Sequence, residues 1–332
     1  MQTRSKFDSK TGTNPPSEPV THLSVVVPAT NAPETLARCL AAIRSAAEPP
    51  EDVVVVDRPH NAGPAEARNL GATRATQDVL VFVDSDVEVA PDAFRRIRRA
   101  FESDAELTAV FGSYDDDPER HGLVSDFRNL LHHHVHQEGA GEAMTFWAGL
   151  GAVRREAFLA VGGFDEQRFR RASIEDIELG MRLAAQGRKI ILDPTIQGKH
   201  LKRWTLTTMV STDLLRRGIP WVRLLAESES TSVALNLSWR HRVSAVASVV
   251  LAGSVIARQK RVGFVALGAL CALNAPFYLL LFRRRGWQQV TAGIPLHVVH
   301  HLTGSIAVPA AVTAHAWRLV LSRTRPQRAP KS

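Results

Sequence analysis

Apolar residues fall in short runs near the start of the chain and in long runs near its end. Leu23-Ser24-Val25-Val26-Val27-Pro28 is a buried-strand signal closed by proline. Residues 53–56 form a second such signal, ending at Asp57, and residues 79–83 a third, running into Asp84-Ser85-Asp86. Between them the spacing becomes helical: residues 34–45, with Leu36, Leu40 and Ile43 on one side, then 65–75 and 93–101. Apolar strands alternating with amphipathic helices predict a parallel sheet covered on both faces, an α/β fold. Ligands on such sheets bind beyond the carboxyl ends of the strands, where Asp57, Asp84 and Asp86 lie.

The pattern changes from residue 230 onward. Residues 243–257 and 262–282 carry no formal charge, and residues 286–317 carry no Asp, Glu, Lys or Arg. About 20 apolar residues span a bilayer as a helix, so the second and third stretches are long enough and the first is short. The breaks are basic: Arg240 and Arg242, then Arg258, Lys260 and Arg261, then Arg283-Arg284-Arg285. Such residues favour the cytoplasmic face. They cannot all lie there if every stretch spans, so either one stretch is interfacial or one break is on the far side. The competing reading is a buried helical subdomain of a soluble protein. The expected organisation is a disordered leader over 1–21, with no apolar core of a signal peptide. An α/β domain over 22–229, membrane-associated helices over 230–317 and a basic tail over 318–332 follow.

Charge sharpens this division. The 332 residues hold 41 Lys+Arg against 33 Asp+Glu, a net of +8. No acid occurs after Glu229, so residues 230–332 carry +13 and residues 1–229 carry −5. The basic half is also the apolar half, which fits an anionic membrane surface and not nucleic acid. Two isolated cysteines, Cys39 and Cys271, exclude a disulfide framework and a Cys-rich zinc module.

Several residue groups can carry chemistry. Asp84 and Asp86, two apart at a strand end, can share one hard cation, and Mg²⁺ is usually held by one or two carboxylates plus phosphate oxygens. They can equally be solvated loop acids. Ser173-Ile174-Glu175-Asp176 ahead of Ile177, Leu179, Met181 and Leu183 has the form of a capping box. The alternative is that one of its carboxylates faces a cleft as general base. His200, Lys202 and Arg203 surround Leu201 and precede Trp204, placing cations and an indole where a diphosphate, a sugar or a membrane surface would meet them. His132 and His136 share a helix face, without the paired acid of a zinc motif. Gly162-Gly163-Phe164-Asp165 reads as a turn. Arg68 either points to a phosphate or lies on a helix surface.

Taken in order, these pieces resemble family 2 glycosyltransferases of the GT-A fold, in the membrane-attached bacterial branch. The resemblance runs from about Leu23 to Leu225. Its segments are Val25-Val26-Val27-Pro28-Ala29-Thr30-Asn31, the stretch Asn61 through Arg68-Asn69 to Gly71, Val83-Asp84-Ser85-Asp86, Phe146-Trp147-Ala148-Gly149, Gly162 to Glu166, Glu175-Asp176 and Lys202-Arg203-Trp204. It implies a Rossmann-like, mostly parallel sheet and inverting, hexosyl-type transfer from a nucleotide-diphosphate sugar. Asp86, with Asp84, would hold Mg²⁺ or Mn²⁺. Asp176 would take the acceptor proton, with Glu175 beside it. Pro28, Thr30, Asp57 and Arg68 would contact the nucleotide. Trp147, His200, Lys202, Arg203 and Trp204 would face the acceptor or the diphosphate. The acceptor would be a lipid, a lipid-linked carrier or a surface glycan at the inner membrane, with the catalytic domain facing the cytoplasm. One departure stands out: the Asp-Gly-Ser stretch and helix that usually follow the second strand are missing after Asp57. That motivates the alternative of a non-catalytic, membrane-bound nucleotide-sugar binder or partner protein.

Overall fold

A computed structural model describes residues 21–31, 33–227 and 239–324, with side chains to residue 313. The leader and most of the basic tail lie outside the described residues, as does the boundary expected near 229.

The three strands read from the sequence form as β1 (Leu23–Pro28), β2 (Asp52–Val56) and β3 (Val79–Val83). They lie in the order β2-β1-β3 and are parallel, with Val25 opposite Val53 and Val81. Their carboxyl ends therefore share one edge of the sheet. Alternation along each strand feeds two cores. Val25, Val27, Val79, Val81 and Val83 face α1 (Leu36–Ser45), while Val26, Leu80 and Phe82 face α2 (Pro64–Arg74). All five residues of β3 are buried, which explains why no polar residue interrupts that strand. Helix α2 sits close on the sheet because residue 71 is glycine: a Cβ there would lie 2.2 Å from Val26 Cγ1.

Beyond β3 the sheet becomes mixed. Strand β4 (Val87–Val89), α3 (Ala93–Ser103), β5 (Leu107–Tyr114), α4 (Leu123–Glu138), β6 (Gly141–Glu142), β7 (Leu150–Arg154), α5 (Arg155–Ala160), α6 (Glu175–Ala185), β8 (Lys189–His200), α7 (Leu206–Ser211) and α8 (Ile219–Glu227) follow in chain order. The sheet order is β2-β1-β3-β7-β5-β8-β4, with β6 on β8. Strand β7 is antiparallel between β3 and β5, and β4 and β6 are antiparallel to β8. Strands β5 and β8 are parallel. Five strands thus run one way, but antiparallel β7 at the centre departs from a doubly wound parallel sheet.

The C-terminal helices differ from the expectation of unbroken spans. Residues 262–282 do not form one helix: α10 (Lys260–Leu273) stops at Asn274, and α11 (Ala275–Thr324) starts in a new direction, bent by 73°. Asn274 directs its amide to Leu270 O and Ser244 Oγ, which satisfies the broken end against α9 (Trp239–Ile256). Helix α11 is itself kinked at Gly286, whose φ of 71° leaves the helical region. Among the described residues no single helix is long and apolar enough to cross a membrane, and only the bent α10–α11 pair passes on length and composition.

The first half of α11 packs on the α/β domain. Phe277, Tyr278 and Leu281 join Phe127, Leu130 and Leu131 of α4 in one apolar core. The basic break at 283–285 is largely spent here: Arg284 pairs with Asp116, and Arg285 reaches Asp117 and Asp126 at 2.8 Å each. Those arginines hold the C-terminal helices to the α/β domain. The cations at the α9–α10 turn, Arg258, Lys260 and Arg261, are exposed instead. Val255 and Ile256 beside them are 71% and 85% exposed, and Phe264 is 74% exposed.

Candidate active site

Asp84 leaves the end of β3 and its backbone N–H donates to Gly149 O, while Leu201 N–H donates to Asp86 O. The two carboxylates are thereby fixed between the β7 and β8 strand ends, each side chain about a third exposed (31% and 30%). Asp84 Oδ1 accepts from Arg68 Nη2 at 2.7 Å. The other arm of Arg68, Nη1, donates to Glu175 Oε1 at 2.9 Å. Arg68 is 4% exposed, so it is not a surface residue, and each of its terminal nitrogens reaches a carboxylate. It ties the two acidic motifs into one site.

The capping-box reading fails for a local reason. Ile174 occupies the N-cap of α6 without a side-chain cap, and the Ser173 hydroxyl donates to Arg216 O instead. The Glu175 carboxylate accepts from Ser173 N–H at 2.8 Å, and Asp176 Oδ2 accepts from Ala148 N–H at 3.2 Å. Asp176 reaches that amide because α6 lies against the 145–148 loop. Residue 180 is glycine, and a Cβ there would lie 2.2 Å from Phe146 N. Burial and the neighbouring Glu175 push the Asp176 carboxyl up to about 6, against the opposing pull of Arg68. Burial likewise raises Asp84 and Asp86 above the usual carboxylate range.

His200 ends β8 with Nε2 3.8 Å from Asp86 Oδ2. It is stacked on Tyr114 at 4.2 Å, and burial pushes it down to about 3, so it stays neutral. Lys202 is exposed and lies over the Trp204 ring at 4.7 Å, and its charge lowers Asp86. Arg203 is exposed. Trp147 packs edge-on against Tyr114 at 4.8 Å and beside His132 at 4.8 Å. His132 and His136 do share a face, with rings 3.9 Å apart, and His136 Nδ1 bonds to Gly112 O. Among the described residues no group of three His, Cys, Asp or Glu side chains is set to hold a metal.

Pro28, Thr30 and Asp57 stand at the adjoining ends of β1 and β2. Thr30 Oγ1 donates to Ala62 O at 2.7 Å, which draws the 57–63 loop over the end of β1. Asp57 is exposed, and the chain passes from it through this loop straight into α2. The Gly162-Gly163 turn forms, with both glycines at positive φ (80° and 68°), and Asn69 clamps it through Phe164 N and O at 2.9 Å each. Asn69 is thus structural.

A cavity of about 660 Å³ opens from Asp176. Trp147, His132 and His136 line its catalytic end, and Trp221, Ala245 and Val308 from the C-terminal helices its far end. At its side a seven-residue π-helix, Thr212–Gly218, carries buried Asp213, which pairs with Arg128 at 2.7 Å and with His300 of α11 at 2.8 Å. Burial pushes Asp213 up, but Arg128 and His300 outweigh it and hold the carboxyl well below its usual range. Sequence reasoning missed Tyr114, Asp213 and Trp221 because none sits in a spaced motif. Only packing brings them here.

Paired carboxylates at the central strand ends and a second acidic pair at a helix start meet at one edge of a mixed, mostly parallel sheet, an arrangement of GT-A-like fold. Residues 42–162 match the family Glycosyl transferase family 2. The matched segment includes Asp84 and Asp86 and ends before Glu175 and Asp176. In fold the chain is similar to the mannosyltransferase PcManGT from Pyrobaculum calidifontis, solved in complex with GDP-Man and Mn²⁺. That likeness has a TM-score of 0.50 at 15% identity, over 92% of this chain and 91% of that one. GalNAc-T7, solved with UDP, GalNAc and Mn²⁺, aligns with a TM-score of 0.45 at 16% identity, over 69% of this chain and 51% of that one. No curated protein sequence matches the chain.

Proposed function

We propose that the protein transfers a sugar, with inversion, from a nucleotide-diphosphate sugar to a membrane-proximal acceptor. The observation that carries this reading is the Arg68 bridge. It holds Asp84 and Glu175 within one hydrogen bond each of a single guanidinium, which ties the paired aspartates to the start of α6, where Asp176 lines the cavity.

The donor set suits a hard divalent cation, Mg²⁺ or Mn²⁺. Asp84 and Asp86 are half-buried and their proton affinity is raised by burial, against the opposing pull of Arg68 on Asp84 and of Lys202 on Asp86. Two carboxylates without a third protein ligand leave coordination positions for phosphate oxygens. When bound, the ion supplies positive charge against the departing diphosphate. Lys202 adds a second cation on that side. Pro28, Thr30 and Asp57 stand where the nucleoside would lie across the β1 and β2 ends.

Asp176 takes the proton from the acceptor hydroxyl. The bond from that oxygen to the anomeric carbon forms as the carbon–oxygen bond to the diphosphate breaks, and the electron pair leaves with the diphosphate. The Ala148 N–H orients the receiving carboxylate, and Glu175, held by Arg68, raises the proton affinity of Asp176.

The site of action would be the cytoplasmic face of the inner membrane. The exposed apolar and basic α9–α10 turn supports docking in one leaflet. Neither of its helices, of 18 and 14 residues, is by itself long and apolar enough to span.

The test is thermal stabilisation of the full chain by UDP-, GDP-, CDP- and dTDP-sugars with Mn²⁺ or Mg²⁺, beside Asp86→Ala. Stabilisation by one nucleotide class, lost in the variant, is expected. No stabilisation by any donor would overturn the reading.

A further inference from the structure

The cavity beside Asp176, of about 660 Å³, changes character along its length. The π-helix Thr212–Gly218 runs on into α8, and Arg217, Trp221 and Leu225 line the cavity from successive positions four apart, on one helix face. That face passes from a cation to an indole to an alkyl side chain. Helix α11 runs alongside in the same direction, since Asp213 meets His300 and a Cβ on Gly218 would meet Ala307. It makes the same change along the cavity, from His300 and His301 to Val308. The Ser173 hydroxyl donates to Arg216 O, which sets the start of α6, and with it Asp176, beside the polar end.

Charge is unbalanced at that end. Among the described residues two acids line the cavity, Asp176 and Asp213. Asp213 is committed to Arg128 at 2.7 Å and to His300 at 2.8 Å. Arg217 is exposed and makes no ion pair or side-chain hydrogen bond among the described residues, and its charge reaches Asp176. Once Asp176 has taken the acceptor proton it is neutral, and Arg217 then lacks an opposing charge on the cavity wall. A guanidinium so placed is suited to an anion that it can hold as a fork. Anionic membrane lipids carry such an anion as a phosphate. We infer that the acceptor is an anionic phospholipid whose headgroup bears a free hydroxyl. The hydroxyl lies at Asp176, the phosphate on Arg217, and the start of an acyl chain along Trp221, Leu225 and Val308. The headgroup oxygen bonds to the anomeric carbon, its proton goes to Asp176, and the nucleotide diphosphate leaves with the electron pair. A plain glycan would leave the apolar stretch uncovered, and a neutral lipid would make no use of Arg217. This inference rests on the transferase reading for the hydroxyl at Asp176; the places of the phosphate and the chain rest on the cavity alone.

The probe is dihexanoyl-phosphatidylglycerol, which carries the phosphate, free hydroxyls and short acyl chains. It is titrated calorimetrically into the full chain in a neutral detergent. Dihexanoylglycerol, which lacks the phosphate, and glycerophosphate, which lacks the chains, are titrated beside it. Saturable one-to-one binding of the phosphatidylglycerol is expected, with both comparison compounds weaker by about tenfold or more. Arg217→Gln should weaken the binding by about tenfold, and Arg217→Lys by less. Replacing Arg258, Lys260 and Arg261 of the α9–α10 turn with glutamine should leave it unchanged, which separates the cavity from general attraction to an anionic surface. Asp86→Ala should lose donor-induced thermal stabilisation and keep the phosphatidylglycerol binding, so failure of the donor site and failure of this inference are distinguishable. Absence of saturable binding, equal binding without the phosphate or without the chains, or an unchanged affinity in Arg217→Gln would overturn the proposal.

Discussion

Arg68 and Glu175, 107 positions apart, form an ion pair of 2.9 Å in which each side chain is only 5% exposed. The same guanidinium holds Asp84 at 2.7 Å. A buried arginine is costly to desolvate and must keep both carboxylates within reach, the more so because its Nε has no partner. Here that constraint sets the distance between the strand-end aspartates and the start of α6.

Removing the bridge should therefore act on stability and activity together. Arg68→Met leaves Glu175 buried without its counter-charge and should cost about 3–5 kcal/mol. Arg68→Lys should recover only part of this, since an ammonium cannot span both carboxylates in the plane of the fork. Urea denaturation would measure both. A loss under about 1 kcal/mol for the methionine variant would refute the account.

Asp176 should impose an acid limb on the rate. A general base must be ionised, so kcat/KM should rise as pH passes through about 6 and level off above it. Asp176→Asn should lower kcat by about 10²–10⁴-fold and remove the limb. Stability should move the opposite way. A carboxyl raised from 3.8 favours its protonated form in the fold, so its contribution is fully present below pH 3.8 and lost as pH rises through about 6. Above that the ionised group is a burden, and Asp176→Asn should stabilise the protein by about 1–2 kcal/mol at neutral pH. A destabilised Asn variant would contradict the burial argument.

Close approach of α6 to the 145–148 loop depends on Gly180. The Cβ of an alanine would meet backbone at 2.2 Å, which cannot rotate away. Gly180→Ala should cost about 1–3 kcal/mol despite alanine's better helix propensity. It should also lower kcat, because Ala148 N–H moves from Asp176. A variant as stable and as active as the wild type would show that the loop yields freely.

Asp213 joins the catalytic half to α11 through Arg128 and His300. Asp213→Ala leaves Arg128 buried without its partner and should cost about 3–5 kcal/mol. Its depressed carboxyl contributes stability that is present above about pH 4 and lost as pH falls below that. Limited proteolysis should cut the C-terminal helices first in the variant. Uniform cleavage of both halves would argue against a joint at this residue.

The α9–α10 turn should set membrane affinity. Replacing Arg258, Lys260 and Arg261 with glutamine removes three cations, each worth about 1 kcal/mol near an anionic surface. Flotation with phosphatidylserine vesicles should weaken about a hundredfold, with little change on pure phosphatidylcholine. Equal loss on both lipids would mean that the cations do not read surface charge.

Local pattern determined much of this protein. Period-two and period-3.6 spacing placed β1, β2, β3 and the helices α1, α2 and α3, because each buries its face by rules that act within a few residues. The resemblance singled out Asp84, Asp86, Glu175 and Asp176, whose two segments the fold joins through Arg68. Tertiary structure decided the rest. Whether Ser173 caps α6 or Asp176 faces a cleft was open until Gly180 brought the helix against the loop. Arg68 was ambiguous because both its partners are distant in sequence, and a charge shows its partner only when the chain has folded. The charge-free run at 262–282 suggested one span, yet Asn274 divides it, since hydropathy records what a segment avoids and not where its backbone turns. The cavity was invisible for the same reason. Its walls come from α4, α6, α8 (Ile219–Glu227), α9 and α11, and no local pattern encodes a space between elements that only packing brings together.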